Sequence, residues 1–177
     1  MNLANKLTIA RVLLIPVFIL VYYTSGVGFW AALVFGIATI TDTLDGYIAR
    51  SRKLITTFGK FADPLADKIL VTSALILLVG SRIIPAWAVI LIIAREFIVT
   101  GFRILAASER ITIAASPLGK LKTITQFVAI LLLLLGNPFF GSFPMDLLMF
   151  YLSVLLTIVS GADYLLRNKQ VLDLSNL

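Results

Sequence analysis

The sequence predicts an all-α membrane protein with six transmembrane helices. Of its 177 residues, 60% are hydrophobic, compared with about 45–50% in soluble domains. Several apolar runs approach the roughly 20 residues that a helix needs to cross a bilayer. Short segments rich in Gly, Pro and Ser, which favour turns, separate these runs. With no internal repeat, the chain is expected to form one membrane domain over residues 1–177.

The first three spans are bounded by turn-forming or basic segments. Met1–Leu7 is expected to lie at the membrane interface as a short amphipathic piece. Span one, Ile9–Thr24, then ends at TSGVG, and span two, Phe29–Ile48, ends at SRKLITTFGK. Span three, Asp63–Gly80, begins with Asp-Pro, an ordinary helix start. A cleaved signal peptide is an alternative for span one, but Arg11 directly beside the apolar run argues against it.

The last three spans are also preceded by turn-forming segments. Ile83–Ala107 follows the turn in GSRIIP, Leu118–Leu135 follows SERITIAASP, and Met145–Leu166 follows GNPFFGSFP. Each connecting segment contains proline, glycine or serine, which interrupt a helix.

Lysine and arginine are distributed unevenly between the two sides of these spans. The loops opposite the N-terminus contain only Arg82, whereas the other side holds most of the basic residues. Since basic loops stay in the cytoplasm, both termini are predicted to be cytoplasmic. The basic residues on that side are Lys6, Arg11, Arg50, Arg52, Lys53, Lys60, Lys68, Arg110, Lys120, Lys122, Arg167 and Lys169.

The composition also limits the chemistry. The chain has no cysteine and no histidine, which excludes disulfides, thiolate nucleophiles, imidazole bases and thiolate or imidazole metal ligands. The net charge of +6 indicates acidic headgroups or phosphates at a membrane as partners, rather than nucleic acid.

Four aspartates stand beside these apolar spans. Asp42 and Asp45 lie near the end of span two, where a helix disfavours negative charge. In a helix they share one stripe with Gly46 and Ala49, because each residue turns about 100°. Asp63 and Asp67 follow on span three, where Asp63 alone could be a helix cap.

Carboxylates near the membrane repel one another and need a cationic partner. Without histidine or cysteine, carboxylates select hard cations such as Mg²⁺ or Mn²⁺. Four of them could hold two ions, an arrangement that clamps a phosphate or diphosphate. The sequence therefore predicts a site for two divalent cations.

The spacing D-x2-D-G-x2-A-R-x8-G-x3-D-x3-D resembles the defining motif of the CDP-alcohol phosphotransferases. The segments NKLTIAR, REFIVTGFR and AASPLGKLKT are similar to stretches of the branch that makes phosphatidylglycerophosphate, so the resemblance covers most of the chain. The motif is met in full by Asp42, Asp45, Gly46, Ala49, Arg50, Gly59, Asp63 and Asp67.

The resemblance implies a role for each motif residue. The four aspartates would hold the two cations, and Asp67 would also take the proton of the attacking hydroxyl. Gly46, Ala49, Arg50 and Gly59 would shape the nucleotide site. Asn5 and Thr8 could bind the nucleotide or only start the first helix.

The same resemblance implies a reaction and its partners. CDP-diacylglycerol would enter from the bilayer and glycerol 3-phosphate from the cytoplasm. The 1-hydroxyl of glycerol 3-phosphate would attack the lipid-side phosphorus and release CMP, without a covalent enzyme intermediate. A homodimer in a bacterial cell membrane, with its active site facing the cytoplasm, is expected.

An acceptor that carries a phosphate needs a basic pocket. Arginine is suited to bidentate phosphate contacts, although basic residues on this side also orient any membrane protein. The candidates are Arg110, Lys120, Lys122 and Arg167.

Arg95, Glu96 and Arg103 form a second charged group in span four. Adjacent helical residues point apart, so an ion pair between Arg95 and Glu96 is not expected. Arg95 and Arg103 share a face, and they either reach the acidic site or connect helices; the structural role is preferred.

Two other functions compete with this interpretation. One is transfer to another acceptor, as in a cardiolipin, phosphatidylinositol phosphate or phosphatidylserine synthase. The other is a divalent-cation or proton-coupled transporter, because charged residues within membranes often mark ion paths. Asp146 is the only carboxylate near the opposite face, which disfavours a continuous path.

Overall fold

Six α-helices make up the described chain. The computed structural model describes residues 3–51, 57–108, 116–137 and 140–168, and within them the side chains of 10, 12–41, 68–106, 116–137 and 140–168. These residues contain no strand, so the all-α prediction is confirmed. The helices are α1 Leu3–Ser25, α2 Phe29–Ser51, α3 Thr57–Gly80, α4 Ala86–Ser108, α5 Pro117–Leu135 and α6 Met145–Arg167.

The helix boundaries differ from the predicted spans mainly at the N-terminal ends. Residues 3–7 are continuous with α1, so they do not form a separate N-terminal element. α3 starts at Thr57, six residues before the Asp-Pro pair. Asp63 is therefore inside a helix, and its interpretation as a helix cap is wrong.

Local sequence signals explain both ends of α5. Ser116 precedes the helix, and its hydroxyl accepts a hydrogen bond from the Gly119 amide at 3.1 Å. Pro117 occupies the first turn, where its missing N–H costs nothing. At the other end Gly136 adopts φ 73°, the left-handed conformation that glycine accepts without strain.

The helices pack around a shared apolar core. α1 contacts α2 and α3, α5 contacts α2 and α6, and α4 contacts α3 and α6. Three aromatic rings join α1, α2 and α5. The ring centroid of Phe35 lies 5.8 Å from that of Phe18 and 6.2 Å from that of Phe127. At the end of α3, the Tyr22 hydroxyl lies 2.8 Å from Ser81 Oγ.

The helix lengths match the thickness of a bilayer. They range from 19 to 24 residues, or about 28–36 Å at 1.5 Å per residue. Two of the helices, α5 and α6, are both long and apolar enough to cross a membrane when only described residues are considered. Val12–Ser25, Phe29–Thr41 and Lys68–Gly80 are shorter apolar stretches.

Candidate functional site

The aspartate motif occupies two consecutive helices. Asp42 and Asp45 lie in the second half of α2, and Asp63 and Asp67 lie in the first half of α3. Residues 52–56 connect the helices, so the end of α2 and the start of α3 are close in sequence. Gly59, Asp63 and Asp67 recur every four residues within one helix, which places them along one face.

The side chains of residues 42–67 lie outside the described residues. This range contains the four aspartates and the predicted nucleotide residues Gly46, Ala49, Arg50 and Gly59. Asn5 and Thr8 belong to α1, but their side chains are also outside the described set, and Arg110 lies outside it altogether. These assignments remain predictions.

A layer of polar side chains connects α3, α4, α5 and α6. Glu96 on α4 is its only carboxylate, and Oε1 of Glu96 lies 2.6 Å from Nζ of Lys122 on α5. The same oxygen lies 3.0 Å from Nη1 of Arg95. We call this set the polar layer; its members are Lys68, Arg95, Glu96, Thr100, Lys122 and Ser160.

The pair between Arg95 and Glu96 corrects the sequence expectation. Neighbouring Cα–Cβ bonds on a helix point apart, but the long arginine stem bends its guanidinium back to the carboxylate. The other end of that guanidinium donates from Nη2 to Ser160 Oγ on α6 at 3.1 Å. Arg95 therefore connects α4 to α6, as the preferred structural role predicted.

Gly161 makes room for the Arg95 side chain, and Gly119 lies at ordinary contact distance from the guanidinium. A Cβ added to Gly161 on α6 would lie 3.1 Å from Arg95 Cγ, and one added to Gly119 on α5 would lie 3.5 Å from Arg95 Nη2. Both helices thus approach the arginine where a side chain is missing. Arg95 is 14% exposed, and its Nε has no hydrogen-bond partner among the described residues.

Helix α3 joins the polar layer through Lys68. Its ammonium donates to Thr100 Oγ1 on α4. The Thr100 hydroxyl in turn donates to the Glu96 carbonyl oxygen at 2.6 Å. Since Lys68 directly follows Asp67, the layer adjoins the last aspartate of the motif along the chain.

Arg103, two helical turns after Arg95 on α4, also contacts α6. Its guanidinium carbon lies 5.7 Å from the centroid of the Tyr164 ring, and Nε donates to the Tyr164 hydroxyl at 3.4 Å. The cation–π geometry favours attraction. Arg103 therefore connects α4 to α6, like Arg95.

A cavity of about 50 Å³ lies between α3, α4 and α5. Lys68, Glu96 and Lys122 contribute charged groups to its wall, and Thr123 and Gln126 contribute uncharged polar groups. The remaining lining residues are mostly apolar. A polar cavity of this size has room for a few water molecules.

The structure places the predicted phosphate ligands in different surroundings. Lys120 is exposed near the start of α5, whereas Lys122 is almost fully buried and paired with Glu96. Arg167 at the end of α6 is 69% exposed, and its Nε lies 2.6 Å from Asp163 Oδ1. Lys120, Lys122 and Arg167 thus differ in exposure and in partners, and their role as phosphate ligands remains a prediction.

The sequence interpretation missed the connection between Glu96 and Lys122. One signal pointed to it: a carboxylate within an apolar span requires a cationic partner, and Glu96 is the only carboxylate in α4. Ser160, Gly119 and Gly161 had no comparable signal, because small residues are frequent where membrane helices pack.

Comparison with known proteins gives consistent matches over nearly the whole chain. The family model described as CDP-alcohol phosphatidyltransferase matches residues 1–159. The chain is 46% identical to the CDP-diacylglycerol–glycerol-3-phosphate 3-phosphatidyltransferase of Bacillus subtilis, covering 99% of each chain. It is 41% identical to the Rickettsia typhi protein of the same name, covering 92% of this chain and 94% of that one.

Proposed function

Since the chain belongs to the CDP-alcohol phosphatidyltransferase family, we propose that it transfers a phosphatidyl group from CDP-diacylglycerol to glycerol 3-phosphate. The products are phosphatidylglycerophosphate and CMP. The observation that carries this proposal is the near full-length similarity to relatives named for that reaction. The complete aspartate motif on α2 and α3 supports the same chemistry.

The residues of the motif suit divalent cations. The donor set consists of carboxylates alone, which prefer Mg²⁺ or Mn²⁺, and it lies on two helices joined by a short connection. Asp42, Asp45, Asp63 and Asp67 would hold two such ions. When bound, the ions would supply positive charge to the diphosphate and to the leaving CMP.

The remaining residues have roles in binding and proton transfer. Asp67 accepts the proton of the acceptor 1-hydroxyl as general base. Gly46, Ala49, Arg50 and Gly59, with Asn5 and Thr8, surround the nucleotide, and Arg50 donates to the diphosphate.

The acceptor phosphate is bound by basic groups at the cytoplasmic side. Arg110, Lys120 and Arg167 are the proposed ligands, and Lys122 contributes positive charge from the polar layer. For Arg167 to bind a phosphate, its exposed pair with Asp163 has to open. Exposed pairs contribute about 1 kcal/mol or less, so this exchange costs little.

We also propose that all six helices span the bacterial cell membrane as one domain. Large apolar side chains more than half exposed occur on every helix, which is unfavourable in water and favourable in lipid. Examples of these exposed apolar residues are Leu20, Ile40, Ile76, Phe97, Ile124 and Leu155. The proposal also places both termini in the cytoplasm and includes a homodimer.

The test is CMP release by purified protein supplied with CDP-diacylglycerol and Mg²⁺. Parallel reactions contain glycerol 3-phosphate, phosphatidylglycerol, inositol phosphate or serine. Release only with glycerol 3-phosphate is expected. Release with another acceptor would overturn the acceptor assignment, and no release from folded protein would overturn the transferase assignment.

The control protein for this assay is Asp67→Asn. It removes the proposed base but keeps nearly the same side-chain volume. We expect CMP release to fall by at least about a hundredfold, the usual contribution of a general base.

A further inference from the structure

Three side chains in the wall of the cavity between α3, α4 and α5 carry polar groups that no described residue satisfies. They are Thr72 on α3, Glu96 on α4 and Gln126 on α5. The Thr72 hydroxyl and the Gln126 amide form no hydrogen bond with any residue that the structure describes. Both contacts of the Glu96 carboxylate are made by Oε1, which leaves Oε2 without a partner in the same part of the chain.

The burial of Gln126 makes its unsatisfied amide informative. Only 4% of this residue is exposed, so neither bulk water nor lipid headgroups reach most of the side chain. A buried amide without a hydrogen bond is strongly unfavourable, and more so where the surroundings are hydrocarbon. An occupant of the cavity that forms hydrogen bonds would remove this cost.

Water fits the cavity in size and in chemistry. Each water molecule needs about 10–15 Å³ of such a volume, so about 50 Å³ has room for about three. Water both donates and accepts hydrogen bonds, which suits a hydroxyl, a carboxylate oxygen and an amide together. A metal cation would also bind these oxygens, but Lys122 and Arg95 already contact the Glu96 carboxylate, and their charge disfavours another cation.

We propose that the cavity is a water-binding site in which ordered water molecules bridge Thr72, Glu96 and Gln126. The water connects α3 to α4 and α5 inside the membrane domain. Because α3 also carries Asp63 and Asp67, the bridge acts on the helix that holds half of the aspartate motif. The inference does not depend on the proposed reaction.

A crystal structure of the unmutated protein in a lipid mesophase, at a resolution that shows ordered water, tests the inference directly. We expect water density about 2.7–3.2 Å from the Gln126 amide, with a second contact to Thr72 or Glu96. An empty cavity would overturn the inference. A direct hydrogen bond from Gln126 to another side chain, or an ion in place of the water, would also overturn it.

Thermal unfolding of Thr72→Val, Gln126→Met and the double variant tests whether shared water couples the two residues. Both substitutions nearly keep the volume of the side chain and remove its hydrogen bonds. Each single variant leaves a polar partner unsatisfied, so its melting temperature should fall by about 2–4 °C. The fall in the double variant should be smaller than the sum, because removing both partners of a bridge is less costly than removing one.

The matched control replaces Thr72→Val by Thr125→Val in the same cycle. Thr125 is buried on α5, but its hydroxyl donates to the Leu121 carbonyl oxygen of its own helix at 2.8 Å, and it does not line the cavity. Its effect should add to that of Gln126→Met. Additive effects of Thr72→Val and Gln126→Met would overturn the inference, and the crystal structure tests it even if a variant does not fold.

Discussion

Gly161 leaves space on α6 for the side chain of Arg95. A Cβ at this position would lie 3.1 Å from Arg95 Cγ, closer than an ordinary contact. A larger side chain would displace the guanidinium, which then loses its contacts with Glu96 and Ser160. The absence of a side chain at Gly161 is thus part of how the polar layer is built.

We expect Gly161→Leu to lower the free energy of unfolding by about 1–3 kcal/mol, as overpacked side chains do. Thermal unfolding in detergent would measure the change. The matched control is Gly101→Leu, because a Cβ at Gly101 on α4 meets nothing within 4 Å. Equal melting temperatures of the two variants would contradict the proposed role of Gly161.

Buried charges show how far single residues can be interpreted from sequence. A charge in an apolar span is costly, so Arg95 and Glu96 need partners. The sequence did not identify those partners, because they lie on other helices: Lys122 on α5 and Ser160 on α6. Long side chains are also flexible, which is why the ion pair between the adjacent residues Arg95 and Glu96 forms although the sequence analysis did not expect it.

At the scale of helices, the number and order of elements could be predicted from the sequence. Apolar runs and turn-forming segments indicated six helices, and the structure has six within its described residues. The N-terminal ends of α1 and α3 were less predictable. Charged residues at 57–68 interrupt the apolar pattern of α3, but they do not prevent helix formation. Lysine is a good helix former, and tertiary context routinely overrides the weaker propensity of aspartate.

A hydrogen bond ties α1 to the end of α3. The buried Tyr22 hydroxyl lies 2.8 Å from Ser81 Oγ and 3.3 Å from the Leu77 carbonyl oxygen. Tyr22→Phe should cost about 0.5–1.5 kcal/mol of stability, the net value of one hydrogen bond. A double-mutant cycle with Ser81→Ala, followed by thermal unfolding, measures the coupling.

The control for this cycle is Tyr23→Phe, one residue along α1. Tyr23 is 75% exposed, so loss of its hydroxyl should change the melting temperature little. A coupling energy near zero between Tyr22 and Ser81 would mean that this contact does not stabilise the helix pair.

At the scale of the whole molecule, the absence of cysteine makes the membrane topology directly measurable. Single cysteines can be introduced on each side and treated with a membrane-impermeant maleimide. Gly28→Cys and Ser142→Cys, in the connections after α1 and α5, should react in intact cells. Ser175→Cys, near the C-terminus, should react only after the membrane is opened.

This pattern follows from six spans with both termini in the cytoplasm. All three variants should react equally in detergent, which controls for local accessibility. Labelling of Ser175→Cys in intact cells would contradict the proposed orientation. Labelling of Gly28→Cys but not of Ser142→Cys would contradict the number of spans.

The proposed metal site would link chemistry to the stability of the whole fold. In that site Asp42, Asp45, Asp63 and Asp67 would repel one another without a bound cation, and a ligand that binds only the folded state stabilises it by mass action. At a hundred times its dissociation constant, a bound ion contributes about 2.7 kcal/mol. A chelator should therefore lower the melting temperature in detergent, and added Mg²⁺ should restore it.

Asp42→Asn separates this effect from general salt dependence. Removing one carboxylate weakens cation binding and also relieves repulsion in the metal-free protein. Both changes shrink the difference between melting curves with and without chelator. Asp163→Asn, which neutralises a carboxylate near the end of α6, should keep the full difference. If chelator leaves the unmutated protein unaffected, the four aspartates do not hold stabilising cations, and the two-ion proposal fails even if CMP is released.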